Sequence, residues 1–137
     1  MNAAKGSRAK ARTSSHRENV LVIDDDPYMR MFLSRGLDQW FGEVKVVAGL
    51  SEAKVLLSAG EHYEAIVCDY HLADGRGSDL YQWIIERGLS TPFLLISGGI
   101  ISKPQEASFR FLKKPFALKE LLDALSDIIH SRQKTRR

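Results

Sequence analysis

The sequence predicts an α/β fold, a doubly wound sheet of five parallel strands with helices on both faces. Two observations carry this. Short apolar runs containing β-branched or aromatic residues recur at Val20–Ile23, Val44–Ala48, Ala65–Cys68, Phe93–Ile96 and Phe109–Leu112. Runs of that length, closed by turn-forming or charged residues, read as strands buried on both faces of a parallel sheet. Between most of them lie segments with apolar residues at helical spacing. Parallel strands need such crossovers, and a doubly wound sheet is the usual result.

The elements follow in order. The first strand, Val20–Ile23, stops at Asp24-Asp25-Asp26. Pro27 then opens a helix, because proline suits the first helical turn, and Asp26 is expected to cap it. Met29, Phe32, Leu33, Leu37 and Trp40 are its expected inward stripe, with Gly42 as its end. After the second strand, Val44–Ala48, Ser51 is expected to cap a helix running through Leu57, which Gly60 stops. The third strand, Ala65–Cys68, ends at Asp69. Ala73-Asp74-Gly75-Arg76-Gly77 is turn-rich, and Asp74 reads as a turn residue. A helix from Ser78 to Arg87 follows, terminated by Gly88. The fourth strand, Phe93–Ile96, leads into Ser97-Gly98-Gly99. The fifth, Phe109–Leu112, leads into Lys113-Lys114-Pro115. Leu118, Leu121, Leu122, Leu125, Ile128 and Ile129 mark an amphipathic last helix ending near His130. Trp40 and Trp83 read as core or rim packing.

At 137 residues the chain can bury a core without disulfides. Its single cysteine, Cys68, lies within an apolar run and reads as a small buried hydrophobe. No apolar stretch reaches the roughly 18 residues of a membrane span, and the start lacks a signal-peptide core. A reducing, cytoplasmic setting is expected. Lys5, Arg8, Lys10, Arg12 and Arg17 precede residue 18, and Arg132, Lys134, Arg136 and Arg137 follow residue 131. Taking these nine from the 20 basic residues leaves 11 against all 17 acidic ones. The body is therefore acidic, between basic tails at 1–18 and 131–137 that should be disordered. Nucleic acid is expected only as a weak, electrostatic partner of those tails.

In sheets of this class ligands sit beyond the carboxyl ends of the strands. Those ends carry Asp24–Asp26, Asp69, Ser97 and Lys114. Carboxylates packed side by side repel unless a cation or a basic side chain joins them, and oxygen-only ligands suit magnesium. Phosphoryl transfer uses every group present. A carboxylate can act as nucleophile, an acidic pair can hold magnesium, and lysine and hydroxyl can meet the phosphate oxygens.

Four segments, Val-Leu-Val-Ile-Asp-Asp-Asp-Pro at 20–27, Ile-Val-Cys-Asp-Tyr-His-Leu-Ala-Asp-Gly at 66–75, Pro-Phe-Leu-Leu-Ile-Ser-Gly at 92–98 and Phe-Leu-Lys-Lys-Pro-Phe at 111–116, together resemble the response regulator receiver domain of two-component phosphorelays. The resemblance covers residues 19–130 and implies a flavodoxin-like sheet in strand order 2-1-3-4-5. It implies Asp69 as phosphoacceptor and magnesium ligand, Asp25 as a direct magnesium ligand and Asp24 as one acting mainly through water. Manganese would be a substitute ion, and the backbone carbonyl of His71 a further ligand. Ser97 would be the switch hydroxyl, Phe111 the switch aromatic and Lys114 the phosphate-binding lysine, with Lys114–Pro115 usually cis in such domains. The implied partners are a sensor histidine kinase or a histidine phosphotransfer protein, and a separate downstream target, since no output domain is expected after the last helix.

One departure stands out. Lys114 follows Ser97 by only 17 positions, and the residues between them include Gly98, Gly99 and Pro104. The fourth helix, between the fourth and fifth strands, is therefore expected to be short, irregular or missing. That region often forms the dimer face in the family, so the oligomeric state is open. A metal-dependent phosphohydrolase with its nucleophile on the first strand is the alternative, with Asp24 as nucleophile and Asp26 as acid.

Overall fold

A computed structural model describes residues 18–99 and 109–135, with side chains to residue 131. Each apolar run becomes a strand: β1 (Asn19–Ile23), β2 (Glu43–Val47), β3 (Ala65–Asp69), β4 (Phe93–Ser97) and β5 (Phe109–Lys113). They pair in parallel in the order β2-β1-β3-β4-β5, as expected. A two-residue antiparallel ladder, His71–Leu72 against Gly75–Arg76, makes a small hairpin after β3. The described helices are α1 (Pro27–Asp38), α2 (Leu50–Ser58), α3 (Gly77–Glu86) and α4 (Leu118–Thr135).

Alternation along the central strands divides the core. Val20, Val22, Val67, Leu94 and Ile96 face Leu33 and Leu37 of α1 and Leu121, Leu125 and Ile128 of α4. Leu21, Ile23, Ile66, Cys68, Phe93 and Leu95 face Leu50, Ala53 and Leu57 of α2 and Leu80 and Ile84 of α3. Strands covered on both faces need apolar residues at every position, hence their unbroken apolar runs. No described helix is long and apolar enough to cross a membrane.

The helices differ from expectation in places. Leu33 and Leu37 are buried in α1, but Phe32 and Trp40 are exposed, and Phe41 is buried instead of Trp40. The helix ends at Asp38, before Gly42, so Trp40 no longer follows its periodicity. Ser51 is not the cap of α2. Gly49 is, and it provides no side-chain bond. The last helix continues to Thr135, since no glycine or proline after His130 breaks it. The expected short fourth helix, in residues 100–108, lies outside the described residues. So do residues 1–17 of the basic N-terminal tail.

Candidate functional site

Strand register assembles the site. Ile23 pairs with both Val47 and Cys68, so Asp24 follows β1 beside Asp69 at the end of β3. Asp69 pairs with Ile96, and Ser97 with Lys113, which brings Ser97 and Lys114 to the same edge. Period-two alternation from Val22, Val67 and Leu112 puts Asp24, Asp69 and Lys114 on the face covered by α1 and α4.

The side chains converge as that register requires. Asp24, Asp25 and Asp69 each offer a carboxylate oxygen within 4.8 Å of the others. Lys114 Nζ lies 2.9 Å from Asp69 Oδ1, and the Lys114–Pro115 peptide is cis. Asp24 and Asp69 are buried, while Asp25 is exposed. Burial pushes the Asp24 carboxyl up from 3.8 to about 6, and the charges of Asp69 and Asp25 push the same way. The Asp26 N–H, which donates to Asp24 Oδ1 at 2.9 Å, and the Lys114 charge oppose the rise. Oδ2 of Asp24 is buried and has no hydrogen-bond partner. A buried polar atom of that kind calls for a partner. An oxygen-only donor set beside it fits a hard divalent cation.

Other expected residues take different positions. Ser97 is buried at the end of β4, where its Oγ accepts the Gly99 N–H at 3.0 Å. Phe111 is half-buried on the edge strand β5, opposite Leu95. His71 is exposed two residues after Asp69, with its ring edge-on to Tyr70 at 4.8 Å. Asp26 does cap α1, accepting the Tyr28 N–H at 3.0 Å, and lies outside the three-carboxylate cluster. Cys68 is buried, and its thiol is pushed up mainly by that burial.

Three residues have roles that the sequence does not announce. Arg30 Nη1 donates to the Asp24 carbonyl at 2.7 Å, tethering the acidic loop to the first turn of α1. Its position four residues after the cap is the available signal. Gly77 packs on the Asp69 carbonyl so closely that a Cβ would collide with it. Asp74 is more than a turn residue. Its two carboxylate oxygens accept the N–H groups of Leu50 and Ser51, each at 3.0 Å.

Comparison with known proteins bears on family and fold. The family model described as the response regulator receiver domain matches residues 20–126. The chain is 31% identical over 121 residues to the response regulator protein PilR of Pseudomonas aeruginosa, covering 85% of this chain and 27% of that protein. It is 30% identical over 131 residues to the transcriptional regulatory protein TcrA of Mycobacterium tuberculosis, covering 91% of this chain and 51% of that one. The chain thus spans about half or less of these relatives. Among solved structures, a response regulator receiver protein from Sinorhizobium medicae superposes with a TM-score of 0.75 at 21% identity, covering 84% of this chain and 96% of that one. The signal receiver domain of an HD domain-containing protein from Pseudomonas fluorescens gives 0.75 at 23%, covering 86% and 99%. At those identities the likeness shows the fold.

Proposed function

The chain belongs to the response regulator receiver family, and on that footing we propose that it is a phosphoacceptor, taking a phosphoryl group from a phosphohistidine onto Asp69. The observation that carries this reading is the convergence of Lys114 Nζ on Asp69 Oδ1, 2.9 Å apart, within a cluster of three carboxylates. Asp25, Asp69 and the His71 carbonyl would hold Mg2+, with Asp24 acting mainly through water, and Mn2+ would substitute. Bound there, the ion would draw charge off the transferring group.

An Asp69 carboxylate oxygen forms a bond to phosphorus as the P–N bond to the donor imidazole breaks. The leaving ring nitrogen keeps the electron pair and takes a proton from water. Lys114 gives its ammonium to a phosphoryl oxygen. Later, water attacks the phosphorus, releases inorganic phosphate and restores the carboxylate. The Ser97 hydroxyl turns from the Gly99 N–H to donate to the new phosphoryl oxygens, and Phe111 repacks with it. These changes bias a two-state equilibrium that a partner protein reads.

The phosphodonor is a sensor histidine kinase or a histidine phosphotransfer protein. Tyr28, Met31 and Phe32 are exposed on α1, which starts at the acidic loop, and give such a partner apolar surface on that helix. The phosphohydrolase reading is disfavoured because Asp26, its required acid, is spent on the cap of α1. Acetyl phosphate with Mg2+ should give one acid-labile phosphoryl group on the parent and none on Asp69→Asn or in the presence of EDTA. Equal labelling of parent and variant would contradict the assignment.

A further inference from the structure

The hairpin after Asp69 is anchored at both ends. At its root the Gly77 N–H donates to the Tyr70 carbonyl at 2.8 Å, and the Tyr70 N–H donates to the Ile96 carbonyl at 2.7 Å. At its tip Asp74 accepts the Leu50 and Ser51 N–H groups. Those groups belong to the first turn of α2, whose cap, Gly49, makes no side-chain bond. A Cβ on Gly49 would stand 2.8 Å from Asp74 Oδ1. Gly75, at φ +147°, packs under Leu50, where a Cβ would stand 2.6 Å from Leu50 Cδ1. Leu50 is itself buried in the core, so the joint interlocks.

The same α2 loop reaches the acidic pair from the other side. The Asp24 N–H donates to the Val47 carbonyl at 3.1 Å, two residues before Gly49. Short links therefore close a ring through Asp24, Val47, Leu50, Asp74, Gly77 and Asp69. The two N–H groups also hold the Asp74 carboxyl below its usual 3.8, so it is charged at neutral pH and its bonds are charge-assisted.

We infer that Asp74 is a positioning residue, which ties the hairpin that follows Asp69 and carries His71 to the start of α2 and fixes its spacing from Asp24 and Asp25. This rests on the reading of those aspartates as acceptor and metal site. Glu52 supplies the control, because its Oε1 accepts the Ala48 N–H at 2.8 Å, capping the same helix start from within the helix.

Amide hydrogen exchange of the metal-free chain, followed by Mg2+ titration read on the same amides, tests this. Asp74→Ala should speed Gly77 exchange and weaken Mg2+ binding, each about tenfold. Glu52→Ala should leave both within about twofold of the parent while lowering Tm comparably. Asp74→Asn keeps one carbonyl acceptor in place of two and should fall between. Parent-like Gly77 exchange in Asp74→Ala, or both changes reproduced in Glu52→Ala, overturns the inference. If Asp74→Ala does not fold, parent-like exchange and Mg2+ binding in Asp74→Asn overturn it. Failure of the metal reading looks different: the parent itself would not respond to Mg2+, while the exchange comparison would still decide the tether.

Discussion

Asp24 is the residue at which burial, charge and chemistry meet. It is almost wholly buried, and its carboxyl is raised to about 6. A carboxyl raised on folding favours the folded state only while protonated. Without divalent ions its contribution is therefore full below about pH 4 and is lost as pH rises through about 6. The effect is on the order of 3 kcal/mol. In EDTA, Tm of the parent should fall relative to Asp24→Asn between pH 4 and 7, and parallel curves would contradict the burial argument. Adding Mg2+ should act the opposite way, stabilising the parent more as pH rises, because binding needs the deprotonated carboxylate. The sequence alone exposed Asp24, Asp69 and Lys114 because each ends or follows a strand. Arg30 stayed hidden, because its bond goes to a backbone carbonyl that only the folded loop presents.

Helix ends show how local signals succeed and fail. Asp26 before Pro27 was legible as a cap because its acceptor and the N–H it serves are two residues apart. Asp26→Ala should cost about 1 kcal/mol in chemical denaturation and leave Mg2+ affinity unchanged. An altered affinity would place Asp26 in the site. The start of α2 was misread for the opposite reason. Its capping carboxylate comes from Asp74, 24 residues further along, so the nearest hydroxyl, Ser51, drew the assignment. The inward stripe of α1 was half right. Leu33 and Leu37 are one turn apart and buried, whereas Phe32 lies at the rim, tilted against Phe116 at 6.3 Å.

Over the whole molecule, layering was legible because apolar runs and helical stripes alternate without exception up to β4, whereas strand order came from the resemblance to the receiver family. The site came with them, since parallel register aligns the strand ends. Leu94, at the centre of the sheet, is fully buried, whereas Val55 on α2 is 68% exposed. Leu94→Ala should cost about 3 kcal/mol and Val55→Ala less than about 0.5 kcal/mol in urea unfolding. Similar losses would mean that the layering is wrong. Contacts joining distant segments, such as Asp74 to α2 and Gly77 to the Asp69 carbonyl, were not legible, because they exist only once the layers close.

The central claim is that Asp69 receives the phosphoryl group, and chemical mapping tests it most directly. Borohydride reduction of the phosphorylated chain converts an aspartyl phosphate to homoserine, which peptide mass spectrometry locates. Conversion at position 69 alone is the expected result. Conversion at position 24, or a phosphoryl group on any other residue with position 69 untouched, would contradict it.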